Sequence, residues 1–148
     1  MRSPTQFERT VWRRRTLGSA AVALLPLLAL QQARADVAVI VSAKSNAQTM
    51  TSEEISEIYL GKTAAMKPIE NTSSAQIRTQ FYSKVTGRDE AQVKALWARL
   101  TFTGKATAPK ALPSDADVVK AVAADPKAIG YVNTTAVDPS VKVVFTVK

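Results

Sequence analysis

Three consecutive hydroxyl residues, Thr72, Ser73 and Ser74, followed one helical turn later by Arg78, are the side chains in this sequence best placed for chemistry. At the start of a helix, hydroxyls and free backbone N–H groups point the same way and an arginine adds a charged donor, so the combination suits an oxyanion. Structural work competes for the same residues. Ser73 lies three residues before Gln76, the spacing of a capping box, and a capping serine contributes about 1 kcal/mol to its helix. Thr72 and Ser74 are then the freer hydroxyls, because a cap needs only one side chain, and an arginine on a polar helix face is usually solvated. Ser45 and Asn46, preceded by Lys44, form a second polar group directly after an apolar run. They qualify because α/β sheets take ligands beyond the C-terminal ends of their strands.

Other chemistries lack their residues. The chain has neither cysteine nor histidine, which excludes Cys–His and Ser–His nucleophilic catalysis and would leave a zinc site only carboxylates. Glu53, Glu54 and Glu57 fall within one helix, where Glu54 serves a cap and Glu53/Glu57 is a like-charge pair on an exposed face. With no nucleophile or second acid beside them, the expectation is no catalytic residue, no metal site and no cofactor. Neither standard Gly-rich phosphate loop is present, nor an internal repeat.

The elements that must position the hydroxyls alternate between strand and helix. Val37–Val41 is an unbroken, mostly β-branched apolar run, the pattern of a strand covered on both faces. Thr51 and Glu54 form a capping box that opens a helix with Ile55, Ile58 and Tyr59 on one face, and Gly61 is placed to stop it. Residues 66–70 are a strand candidate that Pro68 limits to an edge or a strand start. Ile77, Phe81 and Val85 then mark a three-turn helix ending at Gly87, and Asp89 caps a third, with Val93, Leu96, Trp97 and Leu100 on its stripe. Residues 101–113, with two prolines and Gly104, read as a long surface connection. Ser114 caps a fourth helix carrying Val118 and Val122 inward, with Asp115 and Asp117 in the turn where the helix dipole favours negative charge. Strands over 128–132 and 141–147 close the chain, the last with Val141, Val143, Phe145 and Val147 alternating with Lys142 and Thr146. The pattern predicts an α/β domain with a mixed sheet flanked by helices, and α+β with a small antiparallel sheet is the alternative. Tyr59, Phe81 and Trp97 belong to the core by their spacing. Gly130 permits close packing, Tyr131 could turn its hydroxyl to a ligand, and Lys62 and Lys105, each after a loop glycine, form a basic rim or simply aid solubility.

Residues 1–35 read as an export leader rather than as part of this domain. Arg2, Arg9, Arg13, Arg14 and Arg15 precede an uncharged run whose apolar centre is 17–30, and Ala33-Arg34-Ala35 has the small-residue spacing of a signal-peptidase site. The run is too short, and too interrupted by Pro26, to span a bilayer, which needs about 18–20 apolar residues. Cleavage is expected after Ala35, leaving residues 36–148 as one periplasmic domain, by the general route or the twin-arginine route that Arg14-Arg15 also admits. The whole chain carries +8, but residues 36–148 have 14 Lys and Arg against 11 Asp and Glu, a net charge of +3. A nucleic-acid partner loses its main support with the leader.

The ordered set TSEEISEIYLGK (51–62), Phe81-Tyr82, Val85-Thr86-Gly87, Trp97, Phe102-Thr103-Gly104 and DPKAIGYV (125–132) resembles the phosphate-binding periplasmic proteins of ABC importers. It is most similar to the short single-lobe members of that family. The resemblance implies one lobe of a type 2 periplasmic-binding-protein fold, specifically the central lobe, with an anion held in the cleft that two lobes would form. It also implies a membrane transporter as partner. The binding stretch departs from the family pattern of an Arg and an Asp leading into Ser-Gly-Thr. Here it is Ile69-Glu70-Asn71-Thr72-Ser73-Ser74-Ala75-Gln76-Ile77-Arg78, with Glu70 near where an anion would sit.

Two functions fit these residues. One is a solute-binding module that takes phosphate or a related oxyanion through Thr72, Ser73, Ser74 and Arg78, with Ser45 and Asn46 as further contacts, for transport or sensing. The other is a lobe without ligand whose interlobe face docks a membrane transporter, a receptor, another envelope protein or a second copy of the chain.

Overall fold

All six residues of Val37–Ser42, strand β1, are buried, the first five as their apolar sequence requires and Ser42 with its hydroxyl donating to Ala123 O, and the rest of the domain is arranged to cover them. The computed structural model describes residues 36–148; the export leader expected over 1–35 lies outside the described residues. In chain order there follow α1 (Ser52–Tyr59), β2 (Lys67–Asn71), α2 (Ala75–Phe81) continuing into a π-helical turn (Tyr82–Thr86), α3 (Glu90–Phe102), β3 (Lys110–Leu112), α4 (Asp115–Ala124), β4 (Ala128–Asn133), a 3-10 turn (Thr134–Ala136) and β5 (Val141–Val147).

The strands form one mixed sheet in the order β3-β2-β4-β1-β5. β2 runs parallel to β3 and β4, whereas β1 runs antiparallel to β4 and β5. Period-two alternation divides the core between the two faces. Val37, Val39, Val41, Ile129 and Tyr131 face α1, α2 and α3, while Ala38, Ile40 and Val132 face α4. With helices on both faces and parallel pairs in the sheet, the domain is α/β, and the α+β alternative is set aside.

The helix boundaries follow their caps. Both halves of the Thr51/Glu54 box form, as does a second box from Asp89 and Gln92. Gly61 adopts a left-handed φ of 67°, and a Cβ there would lie 2.8 Å from Leu100 and 3.2 Å from the Trp97 ring. It stops α1 and lets α3 pack against the turn.

Three expectations are corrected. The cap of α2 is Ser74, whose Oγ accepts from the Ile77 N–H, and not Ser73. Ser73 is drawn away because its N–H donates to Asn71 Oδ1 and its hydroxyl to Asp115. The connection over 101–113 contains the edge strand β3, which three largely exposed residues gave no alternation to reveal. In β5 the alternation breaks at a bulge opposite Val39/Ile40. Val144 is therefore buried at 3% exposure, while Val143, expected inside, is 41% exposed.

Gly130 sets the spacing between sheet and α4. A Cβ on it would fall 2.7 Å from Val118 Cγ1 and 3.0 Å from Val122 Cγ2, and β-branched side chains in a helix have little rotamer freedom with which to yield. Gly130→Ala should therefore destabilise the domain by about 1–3 kcal/mol, the usual cost of overpacking a core, as a lower urea midpoint with unchanged slope. An unchanged midpoint would show that α4 is free to move outward.

Candidate functional site

Because β2 and β4 are parallel, their C-terminal residues Asn71 and Asn133 arrive at the same end of the sheet, beside the start of α4. Asn71 is completely buried and its amide is fully used. Nδ2 donates to Tyr131 O at 2.9 Å and to Asp115 Oδ1 at 2.6 Å, while Oδ1 accepts from the Ser73 N–H at 2.9 Å. Asp115, the first residue of α4 after its cap Ser114, also accepts from Ser73 Oγ at 3.0 Å and from the Asn133 N–H at 3.3 Å. One carboxylate thus gathers donors from the end of β2, the turn after it and the end of β4.

The hydroxyls singled out in the sequence are all engaged within the protein. Thr72 Oγ1 donates to Leu112 O, Ser73 Oγ donates to Asp115, and Ser74 caps α2. Thr72 and Ser74 are therefore not the free hydroxyls expected. Arg78 turns to Glu90, with Nε 2.5 Å from Oε1, and its side chain is mostly covered. Ser45 and Asn46 lie elsewhere. β1 is antiparallel to β4, with Val37 opposite Asn133 and Val41 opposite Ile129, so the residues after β1 emerge at the far end of the sheet. There Ser45 Oγ accepts from the Ala47 N–H and Ser45 O from Lys142 Nζ. Thr72 to Ser74 and Ser45/Asn46 do not form one site.

Glu70 precedes Asn71 and points to the opposite face of the sheet. Its carboxylate accepts from Tyr131 OH at 2.8 Å and from Tyr82 OH, within a ring cluster in which Phe81 stacks on Tyr131 at 4.0 Å and Tyr59 meets Phe81 edge-on. Tyr131, expected to offer its hydroxyl to a ligand, is buried and spends it on Glu70. Burial raises the Glu70 pKa above the ordinary glutamate value. The two tyrosine hydrogen bonds and Arg78 oppose that rise, and Glu90 adds to it. Burial, with the Glu70 charge next, also raises Tyr82 and Tyr131.

Beyond Glu70 opens a cleft of about 810 Å³ between α2, α3 and the segment before β3. Thr72, Arg78 and Glu90 stand on its floor, Val93 and Trp97 form one wall, and Phe102 forms the rim. Phe102 is 93% exposed. Among the described residues no three potential metal ligands come together, and no helix is long and apolar enough to cross a membrane.

Sequence reasoning missed Asn71, Asn133 and Asp115 as one constellation. Asp115 reads as a helix-dipole residue, and only the parallel pairing of β2 with β4 shows that two strand-terminal asparagines meet it. An asparagine ending a strand directly before a hydroxyl run was the available signal.

Solved structures share this architecture. An ABC-type phosphate transport receptor from Vibrio cholerae matches 74% of the chain and 46% of its own length, at a TM-score of 0.56 and 18% identity. A candidate phosphate ABC transporter substrate-binding protein from Clostridium perfringens, with bound phosphate, matches 74% of the chain and 45% of its own, at 0.59 and 19%. The fold is that of one lobe of a type 2 periplasmic binding protein. A candidate phosphate binding protein from Planctomyces limnophilus matches 75% of the chain and 42% of its own length, at 0.51 and 16%. The chain thus spans less than half the length of each of these proteins, in keeping with the single-lobe resemblance. No protein-family model and no curated protein matches it.

The raised Glu70 pKa fixes the sign of a pH effect. In the folded state Glu70 holds its proton more tightly than in the unfolded chain, so its contribution is present below the unfolded pKa and is lost as pH rises through the folded one. Relative to Glu70→Gln, wild-type stability should fall across the mildly acidic range upward from the ordinary glutamate pKa. Parallel stability curves of the two proteins from pH 4 to 8 would show that burial does not perturb Glu70.

Proposed function

We propose that the chain is an exported solute-binding module that takes phosphate or a related oxyanion at the C-terminal ends of β2 and β4, for ABC-type transport or sensing. The supporting observation is the constellation around Asp115. Asn71 Nδ2, Ser73 Oγ and the Asn133 N–H already hold a carboxylate, and they sit at the strand ends where α/β sheets take ligands. An incoming oxyanion uses the same donors in competition with Asp115, so binding in the wild type is weak. In this reading the domain is not an enzyme. The leader is cleaved after Ala35, the domain works in the periplasm, and its fold is one that phosphate-transport proteins use.

A second reading has its own observation, the fully presented Phe102 on the rim of a mostly apolar cleft. Exposed apolar surface of this kind marks protein contacts. The surface lies beside the strand ends and would dock an envelope protein or a second copy of the chain.

Calorimetric titration with phosphate, and with sulfate for comparison, tests the first reading. The wild type should show weak saturable heat, and Asp115→Ala, shown to be folded by circular dichroism, should bind phosphate about tenfold tighter, equivalent to about 1.4 kcal/mol. Flat traces from both proteins would overturn it. For the second reading, sedimentation velocity should show concentration-dependent association of the wild type that Phe102→Asp removes, and a monomer at all concentrations rules out the second copy.

A further inference from the structure

At the opposite end of β2, and on the far side of the segment leading to β3, a second cleft of about 890 Å³ is lined by Lys62, Lys67, Lys105 and Lys110, with Asp125 as its one acid. Four lysines and one aspartate amount to +3, equal to the net charge of residues 36–148. The remaining 10 Lys and Arg and 10 Asp and Glu of residues 36–148 balance in number. Only Lys67 is paired there, its Nζ lying 2.9 Å from Asp125 Oδ2. Among the described residues Lys62, Lys105 and Lys110 form no ion pair and no side-chain hydrogen bond, and each is exposed.

The local fold brings them together. Lys62 follows the left-handed Gly61 that ends α1, Lys105 follows the left-handed Gly104 just after α3, and Lys110 opens β3 beside Ile69 of β2. A cation after a helix also offsets the negative end of the helix dipole. That accounts for Lys62 and Lys105 singly, but not for Lys110 or for the convergence of all three on one recess. Ile58, Met66 and Trp97 form an apolar floor, and low-dielectric walls focus the field of like charges lining a cleft.

Three unpaired ammonium groups repel one another, and a monoanion would neutralise only one. A ligand with several linked anionic groups relieves all three at once. Lysine, a compact point charge on a flexible stem, suits phosphate groups without demanding a fixed fork geometry. We propose that this cleft binds a soluble multivalent oxyanion of the linked-phosphate type through Lys62, Lys105 and Lys110.

Tripolyphosphate is the probe, titrated calorimetrically at low salt into the full chain. The comparison proteins are Lys62→Ala/Lys105→Ala/Lys110→Ala and the charge-matched Lys84→Ala/Arg88→Ala/Lys148→Ala, whose residues do not line this cleft. Tripolyphosphate should bind more tightly than inorganic phosphate, and the cleft variant should weaken it by about tenfold or more, since its three charges line one cleft and focus their field there. The charge-matched variant should change it by less than about twofold, because distant exposed charges are screened. Equal weakening by both variants would mean diffuse attraction and overturn the proposal. Equal affinity for phosphate and tripolyphosphate, or a flat titration, would also overturn it. Binding to phosphatidylglycerol vesicles without binding to tripolyphosphate would replace it with a lipid surface.

Discussion

The side-chain amide of Asn71 is the interaction on which this end of the molecule depends. It has no exposure to solvent, and each of its polar atoms has a partner in a different segment, reaching β4 through Tyr131 O, α4 through Asp115 and the turn into α2 through Ser73. A buried amide left without such partners would cost several kcal/mol, so the three segments are held in register by the need to satisfy it. Glu70, one residue earlier, does the same on the other face, drawing Tyr82 and Tyr131 together. Two adjacent residues of one strand therefore fix both helical layers against the sheet.

Much of the fold was legible because the signals were local. The capping boxes at Thr51 and Asp89, the apolar run of β1 and the stop at Gly61 depend on residues within a turn of one another. What escaped was set by distant partners. Ser73 has the sequence of a cap, yet Asp115, far along the chain, takes its hydroxyl and moves the cap to Ser74. β3 is too short to show a period, and the β5 bulge follows from pairing with β1 rather than from composition. The hydroxyl run of the candidate site is visible in the sequence, but the intramolecular partners that engage it are not. The strand direction that separates Ser45 from Thr72 appears only once β1 is known to run antiparallel to β4.

At the strand ends, donors that face the same way are costly if left empty, and here Asp115 supplies an acceptor from within. Charge-assisted hydrogen bonds are stronger than neutral ones. Under the proposed function, an external anion would be compared with an internal carboxylate rather than with water. Discrimination would then depend on the difference between two anions competing for one set of donors, not on how many donors there are.

The bulge in β5 bears on how copies of this chain can meet. Open sheet edges invite strand-by-strand growth into aggregates unless they are short, bent or charged. β5, at one edge, is interrupted at Val144, carries Lys142, and has its Val144 carbonyl occupied by the Met50 N–H. β3, at the other edge, has only three residues. Neither margin offers a straight run of free backbone for templating, so any contact between copies has to use side-chain surfaces rather than an extended sheet.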